Sequence, residues 1–472
     1  VVSSGMNGVV RDHNGQPVVG ATVTATHVAT GTNYTATTTS SGRYNLRGMQ
    51  PGGPYTVVVR GDGIQATQQT DVTTSLGVDT DISFTVQQTD VVAMEAFTVQ
   101  ADSNELDAGA VGAATVLDSQ RLMLKPTTER SLADMISATP LVTLRSTFGD
   151  REESQITAVG QNNRFNSIQI DGSRINDQFG LNGTGLASFF NPLSLEWVDQ
   201  LAVSISPYDV RQAGFTGASV NAVTKSGTNE FHGGASYFFR GDELLGVQLQ
   251  GNNPREETLT GTKINPVLER STYEFHVGGP IIRNKLFFFV GYEKFESTSA
   301  GRDPRFSTPA ESQILQRLNQ YSSSINWGDP VTSQTANTSE DEKIIAKLDW
   351  NINDQHRASV RYLTAEGEVP QFGTYASSTF TNFNTLSGGI TSAPTGHFYA
   401  QGRKEEAIAA QLFRDWTPDF TTEIRYAKTK QDQLTPVNSV APTIAIFGLT
   451  GTDLDRTTTV NHGVYIAGTE QF

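Results

Sequence analysis

Few side chains in this sequence are spaced for chemistry. Its seven histidines are scattered, with no His-Glu-x-x-His pair to hold a metal beside a general base. Cysteine is absent, which removes disulfides, thiolate metal sites and a cysteine nucleophile. No Gly-x-Ser-x-Gly elbow occurs, and no glycine-rich phosphate loop ends in Gly-Lys. Gly183-Thr-Gly185 lacks the strand-turn-helix setting of a nucleotide loop. The carboxylates Asp171 and Glu196 invite a catalytic or metal reading, but Asp171-Gly172 is first of all a turn dipeptide. Without a convergent nucleophile, base or metal cluster, the sequence is not expected to be an enzyme, and no cofactor is implied. Two runs suited to binding remain. Met94-Glu-Ala-Phe-Thr-Val-Gln100 is short and strand-like between polar flanks, and Asn176 to Phe190 is glycine-rich with several aromatics.

The elements that must carry those runs are strands. Of 472 residues, 44 are glycine, and the hydrophobic share is 36%, a mixture that suits many strands with polar turns. The formal charge of −15 repels phosphate backbones, so nucleic acid is not an expected partner. No apolar run reaches the roughly 18 residues of a membrane helix. A barrel strand needs only about 10 alternating residues, so a membrane remains open. The opening residues carry no basic and apolar leader, so either a leader has been removed or export is not involved.

Residues 5–87 read as six or seven short strands. Val23, Ala25 and His27 alternate with threonines, as do Tyr55, Val57 and Val59 with their neighbours, and Ile82, Phe84 and Val86. Turn signals at Ser41-Gly42, Pro51-Gly-Gly-Pro54 and Asp62-Gly63 separate them, the spacing of a β-sandwich. Residues 106–229 are mixed: a helical spacing over Ser131–Ile136 follows the capping-type stretch Pro126-Thr-Thr-Glu129, a strand runs into Asp171-Gly172, and others cover Leu195–Val203 and Ala218–Lys225. From Phe231 the strands come in hairpins, Phe275–Tyr292, Ile344–Leu363 and Ala407–Ala427. Short turns alternate with long connections, 297–341 and 366–403, as in an outer-membrane barrel. Ala346, Leu348, Trp350 and Ile352 share one face; Lys347, Asp349 and Asn351 share the other. The strip Phe287–Tyr292 is expected to face lipid with alternate residues inward.

These residues resemble a family. Phe165-Asn-Ser-Ile-Gln-Ile-Asp171-Gly172 is similar to the plug motif of TonB-dependent receptors. Leu195-Glu196-Trp-Val-Asp-Gln-Leu-Ala-Val203 resembles the family's Ile-Glu…Val segment. Phe215-Thr-Gly-Ala-Ser-Val-Asn-Ala-Val-Thr-Lys225 resembles the stretch that closes the plug. The first residues resemble the carboxypeptidase-regulatory-like sandwich often placed before such plugs, and Gly278-Gly-Pro-Ile-Ile-Arg-Asn-Lys-Leu-Phe-Phe-Phe289 resembles the Oar-like branch.

The resemblance implies a mainly β chain: an N-terminal β-sandwich (1–88), a linker with a TonB box (89–105), an α/β plug (106–229) and the first strands of a transmembrane antiparallel barrel (230–472). Plugged barrels have about 22 strands. Only seven or eight are counted here, so the chain is read as an N-terminal fragment with further strands after Phe472. By position, the resemblance makes Met94, Glu95, Ala96, Phe97, Thr98, Val99 and Gln100 the box, which also reads as an ordinary linker strand. It makes Asn176, Gln178, Phe179, Asn182, Phe189 and Phe190 candidates for substrate contact, against a loop packed on the barrel wall. The implied partners are TonB with the ExbB–ExbD motor, outer-membrane lipid, a large solute (oligosaccharide, peptide, protein or metal chelate) and a surface lipoprotein. The implied place is the outer membrane of a Gram-negative bacterium, with sandwich and plug on the periplasmic side. The competing reading is a secreted or surface β-rich adhesin, which would be soluble without detergent.

Overall fold

The computed structural model describes residues 3–87, 97–100, 113–125, 127, 130–145, 155–178, 182–205, 214–241, 267–299, 337–353, 355–371, 399–417, 420–434, 443–447 and 463–467.

The first unit packs two sheets face to face. Its strands are β1 (Ser4–Asp12), β2 (Thr22–His27), β3 (Asn33–Thr37), β4 (Arg43–Met49), β5 (Gly52–Arg60), β6 (Thr67–Thr74), β7 (Asp79–Asp81) and β8 (Phe84–Val86). One sheet runs β4-β1-β7, with β8 also on β1. The other runs β3-β2-β5-β6 and then accepts a later strand, β9 (Phe97–Gln100), in parallel on its β6 edge. The alternation read from the sequence decides what lies between the sheets. Val23 and Ala25, Tyr55, Val57 and Val59, and Ile82, Phe84 and Val86 are all buried there, beside Met6, Tyr34 and Leu46. His27 is buried with them and bonds Thr30 through Nδ1 at 2.8 Å. Burial lowers its pKa to about 4, so the ring is neutral in the fold.

The middle unit holds β10 (Ala113–Asp118), α1 (Ser119–Leu124), α2 (Leu132–Ile136), β11 (Val142–Arg145), β12 (Gln155–Ala158), β13 (Ser167–Ile170), β14 (Ser173–Arg174), β15 (Val198–Ile205) and β16 (Ala218–Thr224). Its main sheet runs β10-β15-β16-β13-β14. The cap of α2 is Ser131, whose hydroxyl accepts from the Asp134 amide at 3.0 Å, rather than the stretch at 126–129. A helix is capped by the residue whose side chain meets its free amides, here the one immediately before the first turn. Leu195–Trp197 is a 3-10 turn leading into β15, not strand. Asp171 and Gly172 turn β13 into β14, both at positive φ (+45° and +70°), a conformation Asp and Gly adopt more readily than other residues.

The third unit is a seven-stranded antiparallel meander: β17 (His232–Gly241), β18 (Val267–Ile282), β19 (Leu286–Ser299), β20 (Asn337–Asn353), β21 (His356–Gln371), β22 (Tyr399–Thr417) and β23 (Phe420–Leu434). A separate hairpin follows, β24 (Thr443–Phe447) with β25 (Gly463–Ala467). The sheet does not close. Its strands run longer than their hydrophobic pattern: β20 starts at Asn337 and β21 continues to Gln371. The ends of the connections expected at 297–341 and 366–403 therefore belong to strands, and 300–336 and 372–398 lie outside the described residues. Backbone pairing continues past the apolar residues into polar ones such as Glu340 and Glu342, where alternation of hydrophobicity stops.

One face of this wall is an apolar band. Val290, Tyr292, Ile344, Leu348, Trp350, Val360, Tyr362, Ile408, Leu412, Ile424 and Tyr426 are exposed on it. Tyr237 and Tyr273 lie toward the long-connection end, Tyr292, Tyr362 and Tyr426 in mid-strand, and Trp350, Trp416 and Phe420 toward the short turns, where an outer-membrane wall carries an aromatic girdle. In the strip Phe287–Tyr292, Val290 and Tyr292 face out, while Phe287 and Phe289 are buried on the inner face. No helix among the described residues is long and apolar enough to cross a membrane.

Candidate functional site: the seam between middle unit and wall

The inner face of the wall is layered by register. Gly291, Ile345, Leu363 and Ala407 form one row across β19–β22. Ile345, Leu363 and Ala407 join the hydrophobic core of the middle unit, together with Phe289. Two residues along one side lies a charged row, Glu293, Lys343, Ala365 and Glu405; two along the other lies Phe289, Lys347, Arg361 and Ala409. The middle unit is thus held by an apolar belt between polar ones.

The row containing Lys347 and Arg361 poses an electrostatic problem. The β20–β21 register sets these two cations directly opposite each other, which is unfavourable unless an anion lies between them. Asp171 supplies it. Its carboxylate is 3.2 Å from Arg361 Nη1 and accepts from the Thr224 amide at 2.8 Å and the Thr224 hydroxyl at 2.7 Å. Lys347 Nζ donates to Thr224 O at 3.1 Å and to Thr224 Oγ1 at 3.2 Å. Gln411 Nε2 donates to the Asp171 carbonyl at 2.7 Å. Burial by itself would raise the Asp171 pKa, but Lys347, Arg361 and the Thr224 donors hold it below the ordinary carboxylate value. The Asp-Gly turn and the Thr-Lys that ends β16 are 53 residues apart and are joined by the parallel pairing of β13 with β16. Together they form one node, gripped by three side chains of the wall.

A second grip lies on β17–β19. Trp197 is fully buried and donates from Nε1 to Glu274 at 2.9 Å. The wall makes room with Gly291, where a Cβ would meet the indole at 2.5 Å. Next to it, Glu196 pairs with Arg130, whose guanidinium lies 3.7 Å over the Phe238 ring. Asp171 and Glu196 thus have structural partners that account for both carboxylates. No cluster of metal-ligating side chains occurs among the described residues.

The run from Asn176 lies toward the long-connection end of the wall. Asn176 is buried, accepts from the Ile168 amide at 2.9 Å and donates to Asn166 O at 3.1 Å. The Gln178 amide points at Gln431 Oε1, 3.4 Å away. Asn182 is buried and donates to Leu186 O at 2.9 Å. Phe189 is buried beneath Arg403 at 3.7 Å, and Phe190 packs on Phe295 at 4.8 Å. Phe179 lies outside the described residues. Of the strand-like run, Phe97–Gln100 forms β9, and Met94, Glu95 and Ala96 lie outside the described residues. The sequence pattern alone does not show the clamp: it places Lys347 on the strand face opposite Leu348 and Trp197 within the Leu195–Val203 motif, and gives no contact between the middle unit and the wall for either. The signal for it is the register of the β20–β21 hairpin, which sets Lys347 and Arg361 side by side and so calls for an anion.

The sandwich sits against this assembly at the short-turn end. Asn351 donates to Thr32 Oγ1 at 2.7 Å, the Asn229 amide to Ala29 O at 2.8 Å, and the Leu76 amide to Gln200 Oε1 at 2.9 Å. Arg357 lies 4.5 Å from the Tyr34 ring centroid. Gly52 comes close to Asp199, whose pKa is raised to about 6 by burial, an effect limited by Lys347 and Lys225.

Residues 5–87 match the carboxypeptidase regulatory-like domain, and residues 223–338 match an outer membrane beta barrel domain. The TonB-dependent transporter Oar of Myxococcus xanthus is 30% identical over 134 residues, 28% of this chain and 12% of that protein. The siderophore receptor PirA from Acinetobacter baumannii matches at 15% identity and a TM-score of 0.43, over 75% of this chain and 43% of its own. The outer membrane transporter YddB from Escherichia coli matches at 13% identity and a TM-score of 0.46, over 67% and 38%. The chain spans less than half the length of each of these relatives. The regulatory-like domain, the outer membrane beta barrel domain behind it and the likeness to Oar over 134 residues place this chain in the outer membrane of a Gram-negative cell and make it similar to the TonB-dependent receptors, in which the resemblance gives the middle unit the part of the plug.

Proposed function

We infer that the protein actively transports a large solute across the outer membrane, with the plug as its gate and TonB, driven by the ExbB–ExbD motor, as its source of work. In this reading residues 1–88 are the periplasmic sandwich, 89–105 carry the box at Met94–Gln100, 106–229 are the plug, and 230–472 begin the barrel. The observation that carries it is the Asp171–Thr224 node. A plug fixed to the wall by a handful of buried polar contacts, rather than by covalent or purely apolar packing, can hold shut and still be released by work done elsewhere. Ligand bound outside must favour release of the box, since a ligand shifts only states it binds unequally. A partner would take the box by strand addition, with main-chain bonds giving affinity. On the outer side, Asn176, Gln178, Phe179, Asn182, Phe189 and Phe190 together with the connections 300–336 and 372–398 are the proposed solute-facing region. Since Asn176, Asn182 and Phe189 are buried, their part is to set the shape of that surface.

The test is detergent fractionation of the full-length protein, then pull-down with the TonB C-terminal domain. Recovery in outer membranes and capture that is lost on deleting Met94–Gln100 is the expected result. A protein soluble without detergent that ignores TonB would leave the adhesin reading in front.

A further inference from the structure

The box strand does not hang free. Phe97, Thr98, Val99 and Gln100 pair in parallel with Thr67, Gln68, Gln69 and Thr70 and form the edge of the sandwich's five-stranded sheet. Whatever pulls on this strand therefore pulls on the sandwich. The sandwich in turn covers the short-turn end of the clamp. A cavity of about 110 Å3 lies between the three units, bounded by Tyr34 and Met49 of the sandwich, Asp171 and Thr224 of the plug, and Lys347 and Arg361 of the wall. The contacts that seat the sandwich there include neutral hydrogen bonds, a small apolar cluster of Leu76 with Ala202 and Val223, and one guanidinium over a ring. The clamp behind it is ionic and buried, and such pairs owe their strength to exclusion of water.

We propose that the sandwich is a detachable seal on the periplasmic side of the plug clamp, and that the strand Phe97–Gln100 is the handle by which it is lifted. This rests on the reading of that strand as the site TonB takes. A pull along the strand breaks the weak neutral seam first. Water then reaches Asp171, Lys347 and Arg361, whose attraction falls as the local dielectric rises, and the plug loosens second. The seal gives the regulatory-like domain a role: it keeps the clamp dry, and so the plug shut, until the strand is drawn.

These 472 residues contain no cysteine, so introduced thiols are the only ones in the three units, and the full-length protein without them serves as the background. In the full-length protein, the pair Thr32→Cys with Asn351→Cys would be treated in whole cells with a short bifunctional thiol reagent. Because Thr32 is buried, a second pair, Ala29→Cys with Asn229→Cys, covers a fault in folding of the first. The expected result is efficient cross-linking in cells lacking TonB, a several-fold lower yield in cells with energised TonB, and recovery of the yield when Met94–Gln100 is deleted. A yield indifferent to TonB, while box-dependent capture by the TonB domain persists, would overturn the seal and leave the transport reading standing. Failure of both pairs to cross-link in any cells would show that the sandwich is not seated there and would also overturn it. Loss of TonB capture altogether would remove both ideas together.

Discussion

The two seams around the plug are built from opposite materials. Between plug and wall, an anion and two cations are buried together and cross-bonded through Thr224 and Gln411. Between sandwich and the rest, the named contacts are hydrogen bonds among amide, hydroxyl and carbonyl groups, each worth about 0.5–1.5 kcal/mol net, and the Arg357 guanidinium over the Tyr34 ring. Breaking one partner of a buried ionic group leaves a charge stranded in a dry site and costs about 3–5 kcal/mol. Breaking a neutral contact near water costs little, because water replaces it. The difference teaches that resistance to force is graded along the chain, weak near the strand Phe97–Gln100 and strong at the Asp171–Thr224 node.

The comparison can be broken at its strong side first. Arg361→Ala should remove one of the two cations that hold Asp171 and destabilise the plug by about 1.5–3 kcal/mol, read as increased entry of a bulky antibiotic and as an earlier plug transition in denaturant. If plug stability is unchanged, the clamp is decorative. Gly291→Ala should drive a methyl into the Trp197 ring and cost about 1–3 kcal/mol by overpacking, visible as a shift in indole fluorescence and in the same denaturation curve.

The weaker seam sharpens the contrast. Asp199 titrates at about 6 in the fold against 3.8 ordinarily, so the fold favours its protonated form. Its contribution is present below pH 3.8 and is lost as pH rises through about 6. Asp199→Asn should therefore stabilise the protein at pH 7 by on the order of 1 kcal/mol, with the gain vanishing below pH 4, by thermal melts across pH in detergent. His27 runs the other way: held near 4 by burial, it should make the sandwich lose stability as pH falls from 6.5 toward 4, a loss that His27→Gln abolishes. Smallest of all, Asn351→Ala should cost about 1 kcal/mol or less and show mainly as faster proteolysis between sandwich and plug.

The sequence shows the walls of this molecule better than its joints. Period-two alternation placed Val23, Tyr55, Leu348 and Lys347 on their correct faces, because in a strand the inward or outward choice is local. The hairpins were legible for the same reason, and the ends of β20 and β21 were not, because pairing outlasts the hydrophobic pattern there. The node at Asp171 escaped because it depends on β13 lying parallel to β16 and on a wall strand nearly two hundred residues later, and no local pattern encodes either. Glu196 and Asp171 could be seen as noteworthy carboxylates; which cations they meet could not. The β9 pairing was invisible too, since a four-residue strand on another unit's edge carries no signal beyond its own extended character.

The most direct test of graded release is to pull on the full-length, bilayer-embedded protein through a bound TonB C-terminal domain while recording extension. The account predicts two ordered ruptures: release of the sandwich at low force, advanced by Asn351→Ala, then the plug at higher force, advanced by Arg361→Ala. A plug that yields while the sandwich stays seated, or a single rupture insensitive to both substitutions, would contradict it.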